Sequence, residues 1–471
     1  MTTGFLLGIF VPWAIGALAL RFVWPVAQAT ACLHALRGAI AFFLGAGIVS
    51  LLTCFALVVF RGLDGRLPLL ELGTLAVLAI ASWLRPATSE GDSSRSDIVT
   101  LSVGALGVAI AAFAILVLQA RTRAFPHGDL EAWTIWNAHA RSLYFGGEDW
   151  RSGFLEVAGL GHPQAPLLVS AMVSQLWCWI GEADARASAT LAMLATMATA
   201  VAVFGAAGTL RGPLVGWIAG IAWFGSGTVV SHMAAQGADI PSSALGLGAV
   251  VCLVLARLRP EQESLTALAG LLAAAVAWTK PEGLVLLVVT TLVALCSSWR
   301  HVVAFLFGTI PFGVALAWFA LTVAPPGGLV STLRELPWAE RCNDVERLQS
   351  TAERFLDELA RSGSPESHGG WQGLGALPIL ALAAAIGFWF TRRGEGRQAV
   401  LPLAVFGLAL GVHFVLHMVL RSVLPSVLPA ELAWSRHMSV EGTMLQLWPI
   451  AILGLCLCLP GTRTFPHPKR G

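Results

Sequence analysis

The chain has 471 residues, 56% of them hydrophobic and only 12% charged, with a formal net charge of +2. Soluble globular proteins are roughly 45–50% apolar and about 25% charged, so this chain has too little polar surface to dissolve a compact fold. The composition excludes a disordered chain, a secreted disulfide scaffold and a nucleic-acid-binding domain, and it predicts an all-α polytopic membrane protein.

A spanning helix needs about 20 mostly apolar residues. Runs of this kind lie near 4–26, 38–60, 67–84, 99–120, 187–210, 213–231, 239–257, 264–279, 281–299, 302–324, 374–391, 399–420 and 444–460, which predicts thirteen spans. A further apolar stretch, Pro166 to Ile180, is shorter and follows a proline-rich start. If it lies flat, the arginines at 21, 37, 85, 95, 211, 257, 259, 300, 392, 393, 397, 463 and 470, together with Lys469, collect on one side. The short loops opposite then hold only Arg61, Arg66, Lys280, Arg421 and Arg436. Basic residues favour the cytoplasmic side. The N-terminus is therefore expected outside, the C-terminus in the cytoplasm, and 166–180 as a juxtamembrane helix with Trp177 and Trp179 at headgroup level.

The chain then divides into three N-terminal spans (1–98), a core of spans with a first outer loop at 121–186 (99–324), a second outer loop (325–373) and a C-terminal membrane segment with a short tail (374–471). The second loop has amphipathic helical spacing across STLRELPWAERCNDVERLQSTAERFLDELARSG. Seven of the eight cysteines (all but Cys342) lie in or beside apolar runs and read as small apolar side chains.

Charges beside membrane spans mark candidate chemistry. The first outer loop opens RAFPHGDLEAWTIWNAHAR, where Asp129 and Glu131 follow a span, and Trp133 and Trp136 alternate with His139 and Arg141. A carboxylate held there beside aromatics has the chemistry of a general base toward a hydroxyl; a solvated aromatic belt gives the same pattern. GHPQAPLL sets His162 at a helix start, as a turn residue or a contact. Asp239, in QGADIP, fits either a helix N-cap or a substrate contact. In WTKPEG, Lys280 and Glu282 sit between two apolar runs, and Lys280 is the only lysine besides Lys469. A cation there suits a phosphate leaving group; a snorkelling lysine paired to Glu282 is the plain alternative. His413 and His417 share a helix face with no acid to complete a metal motif, and the last outer loop offers Glu431, Arg436, His437 and Glu441.

An acidic loop after a span, then H-P-x-x-P-L-L, A-D-I-P, W-T-K-P-E-G and L-Q-L-W-P, in that order over about residues 120–460, resembles the GT-C superfamily of membrane glycosyltransferases. Within it the chain looks most like family 39-type enzymes related to bacterial aminoarabinose transferases and protein O-mannosyltransferases. The resemblance implies a GT-C-type fold and transfer of a sugar from a polyprenyl-phosphate carrier to a hydroxyl of a lipid, glycan or protein. It implies a site on the periplasmic face of a bacterial inner membrane. It makes Asp129 the catalytic aspartate, matches His162, Asp239 and Lys280 with Glu282 to family positions, and leaves Arg436 to stand in for the arginine absent at 442; Glu131, Arg141 and His437 are candidate substrate contacts read from the loops themselves. The chain departs from the pattern at Gly442, where relatives often carry an arginine, and at Gln164, which replaces the second proline of H-P-P. No metal site is compelled by ligand spacing, although two outer carboxylates have the chemistry to hold a divalent cation. The alternative from another class is a transporter or flippase for a lipid-linked or anionic solute, which would place charges near mid-span.

Overall fold

The structure is a computed structural model that describes residues 3–25, 30–84, 98–154, 162–325, 344–361, 397–420 and 440–459. Among these all the regular elements are helices, and there is no strand. The first four helices are α1 (Thr3–Val23), α2 (Ala31–Val59), α3 (Arg66–Trp83) and α4 (Ile98–Ala124). A π-helical turn (Ala132–Trp136), α5 (Asn137–Phe145), a 3-10 turn (Gly147–Phe154) and α6 (Leu168–Ile180) follow. Next come α7 (Ala185–Arg211), α8 (Pro213–Phe224), α9 (Gly227–Ala235), α10 (Asp239–Leu258), α11 (Glu263–Thr279), α12 (Gly283–Leu295) and α13 (Trp299–Thr322). Beyond the second loop are α14 (Val345–Arg361), α15 (Arg397–Leu420) and α16 (Val440–Cys458).

Among the described residues eight helices are long and apolar enough to cross a membrane, and nine if a bent pair counts as one span. Their outward faces are apolar: Leu69, Val77 and Trp83 on α3, Phe113 and Leu116 on α4, and Phe307, Val314 and Leu321 on α13 are all exposed. Water does not tolerate so much contiguous apolar surface, whereas lipid does. The protein is a multi-pass, all-α membrane protein. A helix stands at twelve of the thirteen runs read from the sequence; 374–391 lies outside the described residues. The single span expected at 213–231 is instead broken, α8 and α9 meeting at 64°, where Gly225, Ser226 and Gly227 interrupt the apolar run. The helix α12 has 13 residues, about 20 Å at 1.5 Å per residue, which is shorter than a hydrocarbon core of about 30 Å.

At the centre runs α10, with 94% of its apolar window enclosed, against 17% for α3 and α4. It packs on α11, α7 and α16, and α11 packs closely along α13. That last crossing depends on small residues. A Cβ on Gly270 would run into the Phe305 carbonyl, and one on Gly308 into that of Ala267. In lipid, where apolar burial gives little drive to association, such close backbone contact is what holds helices together.

The helix expected at 166–180 is found as α6, with both of its tryptophans engaged by other elements of the protein. Trp177 is buried among Phe5, Ala140, Val173 and Ala187, and its indole donates to Asp184 O at 2.8 Å. Trp179 donates to the carboxylate of Glu71 on α3 at 3.0 Å. Both side chains turn into the protein because α1, α3 and α5 supply their partners. The amphipathic helix expected in the second loop is found as α14, its Phe355 buried edge-on against Phe414 of α15 at 5.0 Å.

Candidate functional site

Three loops distant in sequence meet at one end of the bundle. The first leaves α4 through Pro126 and Gly128. It is pinned by Asp129 N–H donating to Ala235 O at 3.3 Å, by Gln236 Nε2 donating to Pro126 O at 3.2 Å, and by Asn137 Nδ2 donating to His127 O at 3.2 Å. Gly128 has φ +75°, and a Cβ there would stand 2.5 Å from the Ala235 carbonyl. Only glycine combines that backbone with that approach. The chain then enters the π-helical turn, a form found in short pieces and often at working sites. The second loop, after α9, delivers Asp239 as the first residue of α10. The third is the α11–α12 connection, in which Lys280 is extended and its carbonyl accepts from Gly283 N at 2.9 Å.

At the meeting point Lys280 Nζ donates to Asp239 Oδ1 at 3.0 Å and lies 3.7 Å from Glu131 Oε1. Gln446 Nε2, from α16, donates to the same Asp239 oxygen at 3.1 Å, and Trp136 Nε1 donates to Glu131 Oε1 at 3.2 Å. Lys280 and Asp239 are each 4% exposed. Ile135, Trp136, Ala165 and Ala238 form a small apolar cluster, to which the 162–165 turn contributes Ala165.

Burial favours the neutral amine of Lys280, yet the carboxylates of Asp239, Glu131 and Glu282 outweigh it and hold Lys280 well above the usual lysine range. The ammonium is therefore retained. Glu282, whose Oε2 is buried with no hydrogen-bond partner among the described residues, is pushed upward by burial, with Lys280 acting against that rise. Asp129 lies at the exposed rim. Desolvation raises its pKa against the Ala132 N–H, which stabilises the carboxylate, and Glu131 and Asp239 add to the rise.

Two of the simpler sequence readings are changed by this geometry. Asp239 is not the N-cap of α10, a position held by Ala238, and its carboxylate turns instead to Lys280 and Gln446; Asp129 is the carboxylate that accepts from a helix-start amide, Ala132 N at 2.9 Å. Nor does Lys280 snorkel toward Glu282, because its direct partners are Asp239 and Glu131.

Of the residues singled out from sequence, Glu131, Asp239 and Lys280 are in direct contact, Asp129 and Glu282 flank them electrostatically, and His162 opens the turn that ends at Ala165. Arg141 is exposed on α5 and forms no ion pair with a described residue. His139 is buried against Phe154, ring centroids 4.4 Å apart, and burial lowers its pKa to about 3, so it packs as a neutral ring. Arg436, His437 and Glu431 lie outside the described residues, as do the side chains of His417 and Glu441; His413 is buried in α15. Sequence reading passed over Gln446 and Trp136 as site members. A lone amide in the apolar run MLQLWPIAIL was the available signal for Gln446. Among the described residues no three His, Cys, Asp or Glu side chains converge to hold a metal ion. Comparison with protein-family models, curated proteins and solved structures gives no match.

Proposed function

We propose that this protein is a membrane glycosyltransferase with thirteen spans in a GT-C-type arrangement, transferring a sugar from a polyprenyl-phosphate carrier to an acceptor hydroxyl at the periplasmic face of a bacterial inner membrane. The observation that supports this reading is the meeting of three sequence-distant loops at one end of the bundle, with Asp129 at the rim of a buried Lys280–Asp239–Glu131 cluster. Asp129 takes the acceptor proton as the acceptor oxygen bonds to C1 of the sugar; the C1–O bond to phosphate breaks and polyprenyl phosphate leaves. A raised carboxylate pKa makes Asp129 a stronger proton acceptor once ionised, and positive charge develops at C1 in an oxocarbenium-like transition state. Lys280 already faces two carboxylates, so its part is to keep Asp239 and Glu131 ionised and aimed, and Arg436 and His437 are the candidates for meeting the phosphate.

The test is to incubate the purified protein in lipid with a panel of polyprenyl-phosphate sugars and an acceptor extract, and to follow free polyprenyl phosphate. Release that vanishes in Asp129→Asn, with unfolding temperature unchanged, is the expected result. Release that persists in that variant removes Asp129 from the chemistry.

A transporter reading is favoured by one feature, the 64° break between α8 and α9, since broken helices frame many transport sites. Intact donor moved across a vesicle bilayer, with no release of polyprenyl phosphate, would decide for it.

A further inference from the structure

We propose a second site, for a phosphate-bearing ligand, at the opposite end of the bundle from the carboxylate cluster. The 20 residues of α10 carry the chain from Asp239 to this end, about 30 Å away at 1.5 Å per residue. There the C-terminal ends of α10 and α12 and the N-terminal ends of α11 and α13 surround a cavity of about 330 Å³. That volume falls in the range of about 300–1,000 Å³ usual for small-ligand sites.

The lining is one-sided in charge. Arg257, in the last turn of α10, is exposed and forms no ion pair with a described residue. His301 is held by its Nδ1 contact with Thr266 Oγ1 at 2.8 Å, and Thr266 is 2% exposed, so the imidazole is oriented by a buried hydroxyl. When that hydroxyl donates, Nε2 carries the proton and is a donor. Ser297 and Ser298 add hydroxyls. Ser298 begins the 24-residue α13 in an extended conformation without capping it through its side chain, which leaves first-turn amides available to an anion. Among the described residues no carboxylate lines the cavity, and the neighbouring Glu263 is turned to Arg300 at 4.0 Å. Leu253, Val293 and Leu401 make the remaining wall apolar. A guanidinium, an oriented imidazole, two hydroxyls and a helix start against an apolar wall fit a phosphate group carried on an apolar body. The sequence puts this end on the cytoplasmic side, where anionic headgroups meet basic pockets between membrane helices. The shared chemistry is a phosphate ester, offered by a phospholipid headgroup or by a free phosphate.

Cys296 lines the cavity and is exposed, so its alkylation reports occupancy. The full chain in detergent is treated with a maleimide, and modification of the Cys296 peptide is followed by mass spectrometry with dioctanoyl phosphatidic acid, inorganic phosphate or dioctanoylglycerol present. Phosphatidic acid is expected to slow alkylation about tenfold at ten times its Kd, because only the free form reacts; dioctanoylglycerol, which differs only in lacking the phosphate, is expected to have no effect. Protection by the lipid alone assigns the site to a headgroup, and equal protection by inorganic phosphate assigns it to the phosphate group itself. Arg257→Gln should lose most of the protection. Ser298→Asp should cap α13 and keep the fold while placing a like charge in the cavity, and it should lose protection too. Absence of protection by both phosphate probes, equal protection by dioctanoylglycerol, or undiminished protection in Ser298→Asp overturns the proposal.

Discussion

Asp239 and Glu71 are both buried carboxylates, 4% and 0% exposed, and their surroundings satisfy them in opposite ways. Asp239 accepts from an ammonium and an amide, Lys280 and Gln446, which come from two other helix ends. Glu71, on α3, accepts from two neutral donors on α6, Gln175 Nε2 and Trp179 Nε1, both at 3.0 Å, and has no cation in contact among the described residues. Gln175 also donates to the Gly8 carbonyl of α1 at 3.2 Å. The first arrangement concentrates opposite charges at a rim where Asp129 meets the surface. The second is a neutral-donor clasp tying α1, α3 and α6 together. Burial by itself therefore does not say how a carboxylate is satisfied; the charge of its partners separates the two cases.

The difference can be broken most severely at Lys280. Lys280→Met leaves Asp239 and Glu131 facing each other without their cation, and loss of one partner of a buried pair costs about 3–5 kcal/mol. Thermal unfolding in detergent should show a large fall, partly recovered in Lys280→Met/Asp239→Asn; a fall of the same size in both variants would mean that the ion pair is not the cause. Next comes Glu71→Leu, which strands the Gln175 and Trp179 donors at about 1–3 kcal/mol for each group left unsatisfied. Gln446→Leu removes one neutral donor from an oxygen that keeps its ammonium, and should cost about 1 kcal/mol. Glu71→Gln retains an acceptor oxygen for both donors and should shift unfolding least, by under about 1 kcal/mol. A Glu71→Gln loss as large as that of Lys280→Met would show that charge is as essential at Glu71 as at the site.

The pH dependence sharpens the comparison in a different way. A raised Asp129 pKa means that the ionised base is lost on acidification earlier than for an ordinary aspartate. Under the proposed mechanism, transfer should be full above that pKa and fall as pH drops through it, the acid limb lying above the ordinary aspartate value of about 3.9. A limb at or below 3.9 would separate Asp129 from the proton transfer.

Much of this was legible in the chain order. Apolar runs placed a helix at twelve of thirteen positions, because the length needed to cross a bilayer and the composition it demands are local properties. The rarity of lysine singled out Lys280, and its position between two apolar runs marked it as out of place for a spare charge. The break between α8 and α9 was missed because Gly225–Ser226–Gly227 interrupts an otherwise continuous apolar run only briefly. Gln446 was missed because a single amide in a span has no periodicity to betray it. Glu71 was missed because its partners, Gln175 and Trp179, lie more than 100 residues away.

By itself, the sequence determined that this is a helical membrane protein and which polar residues stand at the ends of its helices, since both follow from local hydropathy and chain punctuation. Tertiary structure alone decided which of those residues meet. Lys280 and Asp239 are 41 positions apart, and Gln446 and Asp239 are 207 apart. Such contacts depend on how α10, α11 and α16 cross, and on close approaches such as Gly270 to the Phe305 carbonyl, which seat α11 on α13; no local pattern encodes either.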